Sequence, residues 1–152
     1  MKKLFPAVLF IFFIPACATI DNLQQAVKCK YSLAGVETVD SSFTNLTLNV
    51  AMAVTNQSKT AAAKMNRFEG KLYLNDNEVG NISFNSYEVQ PSSTSIVKTQ
   101  INIPFDKIGK NIAGLVIANS ISINYKIVGT IYFDTPLGQL PFPITVQQQP
   151  AE

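Results

Sequence analysis

The chain has 152 residues, with twelve Lys and Arg against ten Asp and Glu and no histidine. The missing histidine excludes Ser-His-Asp and Cys-His centres and removes the commonest general base and metal ligand. Without Lys2 and Lys3 the basic and acidic residues balance at ten each, and Arg67 is the only arginine, so no basic patch for nucleic acid is expected.

The chain opens with Lys2 and Lys3, an apolar run from Leu4 to Ile14 and the small-residue exit Pro15-Ala16-Cys17-Ala18, the layout of a secretory signal peptide. At about 1.5 Å per residue this run spans about half of a roughly 30 Å hydrocarbon core, too little for a retained transmembrane helix. Two kinds of processing fit the exit. Ile14-Pro15-Ala16-Cys17 resembles a bacterial lipobox, although Pro15 stands where a small or aliphatic residue is usual. Ala16-Cys17-Ala18 also fits ordinary cleavage after Ala18, which would release a soluble secreted protein. The cysteine at the boundary favours lipid attachment at Cys17. Buried acyl chains, at about 0.8 kcal/mol per methylene, would then hold the protein on a bilayer. Ala18 rather than aspartate after the cysteine points to a cell-envelope location, on the outer membrane facing the periplasm. The expected division is a signal peptide over 1–17, a tether over 18–26, one domain over 27–146 and a disordered tail over 147–152. Lipid on Cys17 leaves no second thiol for a disulfide, so stability must come from an ordinary core.

Val27, Cys29, Tyr31 and Leu33 alternate with Lys28, Lys30 and Ser32, the signature of a half-buried strand. A turn containing Gly35 and a break at Asp40-Ser41-Ser42 are expected to follow. The clearest strand places Leu46, Leu48, Val50, Met52 and Val54 on one face and Thr47, Asn49, Ala51, Ala53 and Thr55 on the other. Asn56-Gln57-Ser58-Lys59 reads as a turn. Phe68, Gly70, Leu72 and Leu74 then alternate with Arg67, Glu69, Lys71 and Tyr73, and Asn75-Asp76-Asn77 predicts a tight hairpin into Val79–Phe84. Ser93–Ile103 forms a further strand with Val97, Ile101 and Ile103 inward, bracketed by Pro91 and Pro104.

One segment changes period. Phe105, Ile108, Ile112, Leu115 and Val116 recur at three- and four-residue steps, predicting a short helix ending near Asn119 that plugs an open end of the sheets. Alternation returns in Ile121, Ile123, Tyr125, Ile127, Gly129, Ile131 and Phe133. The turn Asp134-Thr135-Pro136-Leu137-Gly138 leads into Leu140, Phe142, Ile144 and Val146. Pro141 and Pro143 cannot donate to a ladder, so this last strand belongs at an edge. About seven strands with one short helix predict an all-β, antiparallel β-sandwich of immunoglobulin or fibronectin III shape. A closed barrel is the rival.

Chemistry-bearing patterns are sparse. Cys29 reads as a small buried side chain, and Asp76 and Glu78 as a solvated hairpin tip. The triplets at Asn45, Asn56 and Asn81 match a glycosylation acceptor by chance in an Asn-rich chain. The pattern predicts no catalytic residues, no metal and no cofactor.

Three stretches carry a family likeness: Leu46 to Asn56, Gly70 to Gly80, and Tyr125 to Pro143 with its Thr135-Pro136-Leu137-Gly138 and Pro141-Phe142-Pro143. In these the chain resembles the WHy (water stress and hypersensitive response) domain of the type-two late embryogenesis abundant proteins, over roughly Val27 to Val146. The family's Asn-Pro-Asn reads Asn56-Gln57-Ser58 here, so only the first asparagine carries over. The resemblance implies a β-sandwich with one helix, a role in desiccation and stress protection, occurrence in small bacterial lipoproteins and no catalytic residues. The expected function is a non-enzymatic, membrane-tethered protective or envelope-stabilising binding module, with the membrane reached through Cys17 and envelope proteins or lipids as partners. The alternative is a carrier of a lipid or other apolar ligand in a groove between the sheets, lined by Phe84, Tyr87, Phe105, Ile112 and Tyr125.

Overall fold

A computed structural model describes residues 24, 27–118, 123–135 and 138–148. Among the described residues nine strands and a helix follow in the order β1 (Lys30–Ser41), β2 (Asn45–Thr55), β3 (Ala63–Met65), β4 (Arg67–Leu74), β5 (Asn77–Phe84), β6 (Tyr87–Val89), β7 (Thr94–Pro104), α1 (Phe105–Ile117), β8 (Tyr125–Thr135) and β9 (Gly138–Gln147). Every strand pairing is antiparallel. The sheets have the orders β1-β2-β7, β3-β6 and β5-β4-β8-β9, and the three- and four-stranded sheets face each other as an all-β sandwich.

Strict alternation makes β2 the spine of the three-stranded sheet. Leu46, Leu48, Val50, Met52 and Val54 are wholly buried, while the residues between them are half-buried on the outer face. In the four-stranded sheet the same rule places Phe68, Leu72, Leu74, Ile127, Ile131 and Phe133 inward. Gly70 and Gly129 face each other across β4 and β8 on that inner surface. A Cβ on Gly70 would stand 2.7 Å from Phe68 Cζ, and one on Gly129 would stand 2.6 Å from Phe68 Cε2 and 2.5 Å from the Glu69 carbonyl oxygen. The paired glycines therefore make the bed for the buried Phe68 ring, which packs on Phe84 with centroids 5.6 Å apart.

Three expectations are corrected. The strand expected from Val27 starts at Lys30. Val27 lies in a helical turn, with the Lys28 amide donating to the Gln24 carbonyl, and is exposed. Gly35 marks no turn and Asp40 no break, because β1 continues to Ser41 and absorbs the extra residues Ala34 and Val39 as irregularities in its register with β2. The true turn is Ser42-Phe43-Thr44, where Ser42 Oγ accepts from the amides of Thr44 and Asn45. Among the described residues the strands number nine, against about seven expected, because β3 and β6 have three residues each, too few for a period-two signal.

The predicted hairpin between β4 and β5 turns at Asn75 and Asp76, both with positive φ (48° and 66°), the conformation of a two-residue hairpin turn. Asn75 is also held from outside: its amide donates to the Asn124 carbonyl, and its Oδ1 accepts from the Asn124 amide. The helix starts at Pro104, whose fixed φ suits a helix entrance. The Thr44 carbonyl accepts from the Phe105 amide at 2.9 Å in place of a side-chain cap. Ile108 and Val116 of the predicted stripe are buried against the end of the sandwich, as is Ala113, which the stripe did not include, and the Ile112 and Leu115 side chains lie outside the described residues. α1 ends at Ile117, and Asn119 lies outside the described residues. Strand β9 pairs only with β8, at the edge its prolines require. It runs to Gln147, the first residue assigned to the tail, and the Gln148 amide donates to the Tyr125 carbonyl.

Candidate functional site

The leader, Cys17 and nearly all of the tether lie outside the described residues, as does the Ile112 side chain. The other residues assigned to an apolar groove fall at two ends of the sandwich. Phe84 pairs with Phe68, and Tyr87 stands in β6, both toward the end where the chain enters β1. Tyr125 pairs with Leu74, and Phe105 begins α1, at the opposite end. Phe68 and Leu74 are six positions apart on β4, about 20 Å. Phe84 and Tyr125 are buried in the core, while Tyr87 and Phe105 are half-buried against it.

Where the chain enters the sandwich, Cys29, Tyr31, Met65 and Tyr87 form a weakly polar cluster in the interior. The Tyr31 hydroxyl donates to Met65 Sδ at 3.3 Å. Burial pushes the Cys29 thiol up from its ordinary 9.0 to about 11. Burial also raises the Tyr31 and Tyr87 phenols, each further by its titratable neighbours in the cluster. The Tyr87 hydroxyl is buried without a hydrogen-bond partner among the described residues. A thiol in this setting stays protonated at neutral pH and does not act as a nucleophile.

Asn56, the asparagine shared with the WHy pattern, is 1% exposed and fully used. Its Nδ2 donates to the Ala61 carbonyl at 2.9 Å and the Val89 carbonyl at 3.1 Å, while its Oδ1 accepts from the Ser58 amide at 2.9 Å. It therefore ties the loop after β2 to β6. This role is structural, and the missing Pro-Asn does not disturb it, because all three bonds use the first asparagine alone.

The outer face of the four-stranded sheet is more distinctive. Arg67 pairs with Glu69 at 3.2 Å, Lys71 with Glu78 at 2.8 Å, and Lys126 with Asp76. The Glu78 hydrogen bond, and then its charge, raise the Lys71 ammonium above its ordinary range. The Arg67 guanidinium lies 4.5 Å from the Tyr132 ring centroid, and the Lys126 ammonium 5.3 Å from that of Tyr73. Between these two cation-aromatic pairs a shallow depression of about 420 Å³ is lined by Glu69, Gly70, Lys71, Asn81, Ile82 and Ser83. Sequence reasoning placed Arg67, Glu69, Lys71 and Tyr73 on one face but did not join them to β5 and β8. The available signal was that Tyr132 shares the parity of Lys126 and Thr130, opposite to the core residues of β8.

Among the described residues no three His, Cys, Asp or Glu side chains gather to hold a metal. No described helix is long and apolar enough to cross a membrane.

A family model described as late embryogenesis abundant protein matches residues 51–148. Three solved structures match the chain, the first two of them similar in fold. A solution structure of an Arabidopsis thaliana protein shares 16% identity and a TM-score of 0.51, covering 80% of this chain and 82% of that one. A solution structure of a candidate late embryogenesis abundant (LEA) protein shares 11% identity and a TM-score of 0.50, covering 84% and 73%. A crystal structure of an Archaeoglobus fulgidus protein shares 12% identity and a TM-score of 0.45, covering 80% and 98%. No curated protein matches the chain in sequence.

Proposed function

The chain belongs to the late embryogenesis abundant protein family, and from that premise we propose that it is a WHy-type protective module that works by binding and shielding rather than by catalysis. The observation that carries this reading is the family match across nearly two-thirds of the chain. It is supported by a domain whose ionisable groups are scattered or ion-paired with one another. We further assign it to the cell envelope of a bacterium, held by lipid on Cys17 and steadying envelope proteins or lipids when water is scarce.

A deletion strain complemented with the wild-type chain or with Cys17→Ser tests both parts. The deletion strain should lose viability on drying, and wild-type protein should restore it and show added acyl mass. Survival equal to the parent's under drying, osmotic and freezing stress overturns the protective role. A mature protein without acyl mass overturns the tether and leaves the protective role standing.

A further inference from the structure

We propose that the outer face of the four-stranded sheet binds a neutral, hydroxyl-rich glycan chain, laid across β5, β4 and β8 between Tyr132 and Tyr73. This deepens the binding-module reading by naming a partner class. It rests on the geometry of one face.

The charges on that face point inward to one another. Arg67, Lys71 and Lys126 are each matched by a carboxylate. Asp134, beyond Tyr132 on the same strand, accepts from the Asn66 and Gln139 side-chain amides. Among the described residues of this face a polyanion would find no spare cation, and the one carboxylate without a cation, Asp134, is already held by two side-chain amides. A partner without charge gives up nothing by lying on the face, and it does not have to break the ion pairs.

The ion pairs also open the depression. Glu69 leans toward Arg67 and Lys71 toward Glu78, in opposite directions along β4, which uncovers the backbone at Gly70 between them. Asn81 and Ser83 line this opening, Thr130 stands beside it as the β8 partner of Glu69, and the three side chains make no hydrogen bond within the described residues. An amide and two hydroxyls, each able to donate and accept, suit sugar hydroxyls. Val128, 38% exposed in the middle of the face, offers an apolar surface for the C–H side of a sugar ring. Tyr132 and Tyr73, each with its cation over one ring face, are six strand positions apart at Arg67↔Tyr132 and Tyr73↔Lys126, about 20 Å along the strands, the length of a short oligosaccharide.

The other sheet offers a weaker case. Its outer depression is about 150 Å³, floored by Ala34, Gly35 and Ala51 between Glu37 and Lys98, with no aromatic side chain in its lining.

Two-dimensional NMR of the full chain with chitohexaose and cellohexaose tests the proposal. Signals of Glu69, Lys71, Asn81, Ser83 and Thr130 should shift saturably at millimolar sugar, and heparin should neither produce those shifts nor compete. Tyr73→Ala and Tyr132→Ala should each weaken binding about three- to tenfold, the range of one aromatic contact. Asn81→Ala with Ser83→Ala should weaken it further while the melting temperature holds. Absence of saturable shifts, shifts confined to the three-stranded sheet, or equal competition by heparin overturns the proposal. Because sugar binding is read on purified protein and protection on living cells, either can fail without the other.

Discussion

The two large sheets reach the same dry interior by opposite means. In the three-stranded sheet, β2 fills its inner face with five wholly buried aliphatic side chains at every second position, so the sheet contributes volume continuously. In the four-stranded sheet the inner face is hollowed at Gly70 and Gly129, and one ring, Phe68, fills the hollow from a neighbouring position. The first sheet is therefore sensitive to loss of atoms and the second to their addition.

Leu48→Ala should show the largest effect. Leu48 is wholly buried between paired neighbours on both sides, and a leucine truncation in such a site costs about 3–4 kcal/mol because the cavity collapses only partly. Gly129→Ala should follow at about 2–3 kcal/mol, an overpacking cost, since the Glu69 carbonyl and the Phe68 ring both stand where the new methyl must go. Chemical denaturation measures both. The comparison is sharpened by adding Phe68→Leu to each variant. A smaller side chain over the glycine bed should return part of the Gly129→Ala loss, whereas with Leu48→Ala the two losses should simply add. Equal coupling in both backgrounds would break the distinction between the sheets.

Asn56→Ala should cost less, about 1–2 kcal/mol. It leaves the Ala61 and Val89 carbonyls and the Ser58 amide without their side-chain partner, while the backbone bond from the Asn56 amide to the Ser93 carbonyl survives. Asn56→Asp separates the contributions: it keeps the acceptor for Ser58 but loses both donations and sets a buried carboxylate against the two carbonyls, so its melting temperature should lie no higher than that of Asn56→Ala.

A pH-dependent loss belongs to the buried cluster where the chain enters. The Cys29 thiol is raised in the folded state, so the folded protein holds its proton more tightly than the unfolded chain does. Stability is then unaffected below about pH 9 and falls as pH rises from there toward about 11. The Tyr31 and Tyr87 phenols, also raised, extend the loss above pH 10. Melting temperatures of wild type and Cys29→Ala across pH 8–11 check this: the variant should begin its decline about one pH unit later.

What the sequence disclosed follows from how far each signal reaches along the chain. β2, β4, β7, β8 and β9 were legible because alternation persists over eight or more residues and one face is dry. The helix was legible because Ile108 and Val116 recur at helical steps, and the edge position of β9 because Pro141 and Pro143 cannot donate. Four features stayed hidden because they depend on partners distant in sequence. Gly35 looked like a turn because only the facing β2 shows that one extra residue is absorbed there. The pairing of β3 with β6 joins segments more than twenty residues apart. The strip holding Glu69, Asn81 and Tyr132 draws on three strands whose order, β5-β4-β8, skips past β6, β7 and α1. The facing of Gly70 and Gly129 was hidden for the same reason: each reads alone as a weak point in its strand, and only the register shows that together they seat a ring.

The smallest expected effect concerns the edge. Pro143 pairs with Thr130 in an intact ladder, so the amide that proline lacks would point away from β8 toward solvent. Pro143→Val adds one outward donor and a β-branched side chain at an exposed position of an already formed strand, and should change stability by no more than about 0.5 kcal/mol. Its consequence should appear in association instead. With Pro141 also replaced, β9 would present an edge able to donate as well as accept, matching what a second strand needs. Sedimentation velocity should therefore show concentration-dependent self-association for the double variant and none for the wild type. A monomeric double variant would mean that the Gly138 bend and the nearby β1, rather than the prolines, guard this side of the sandwich.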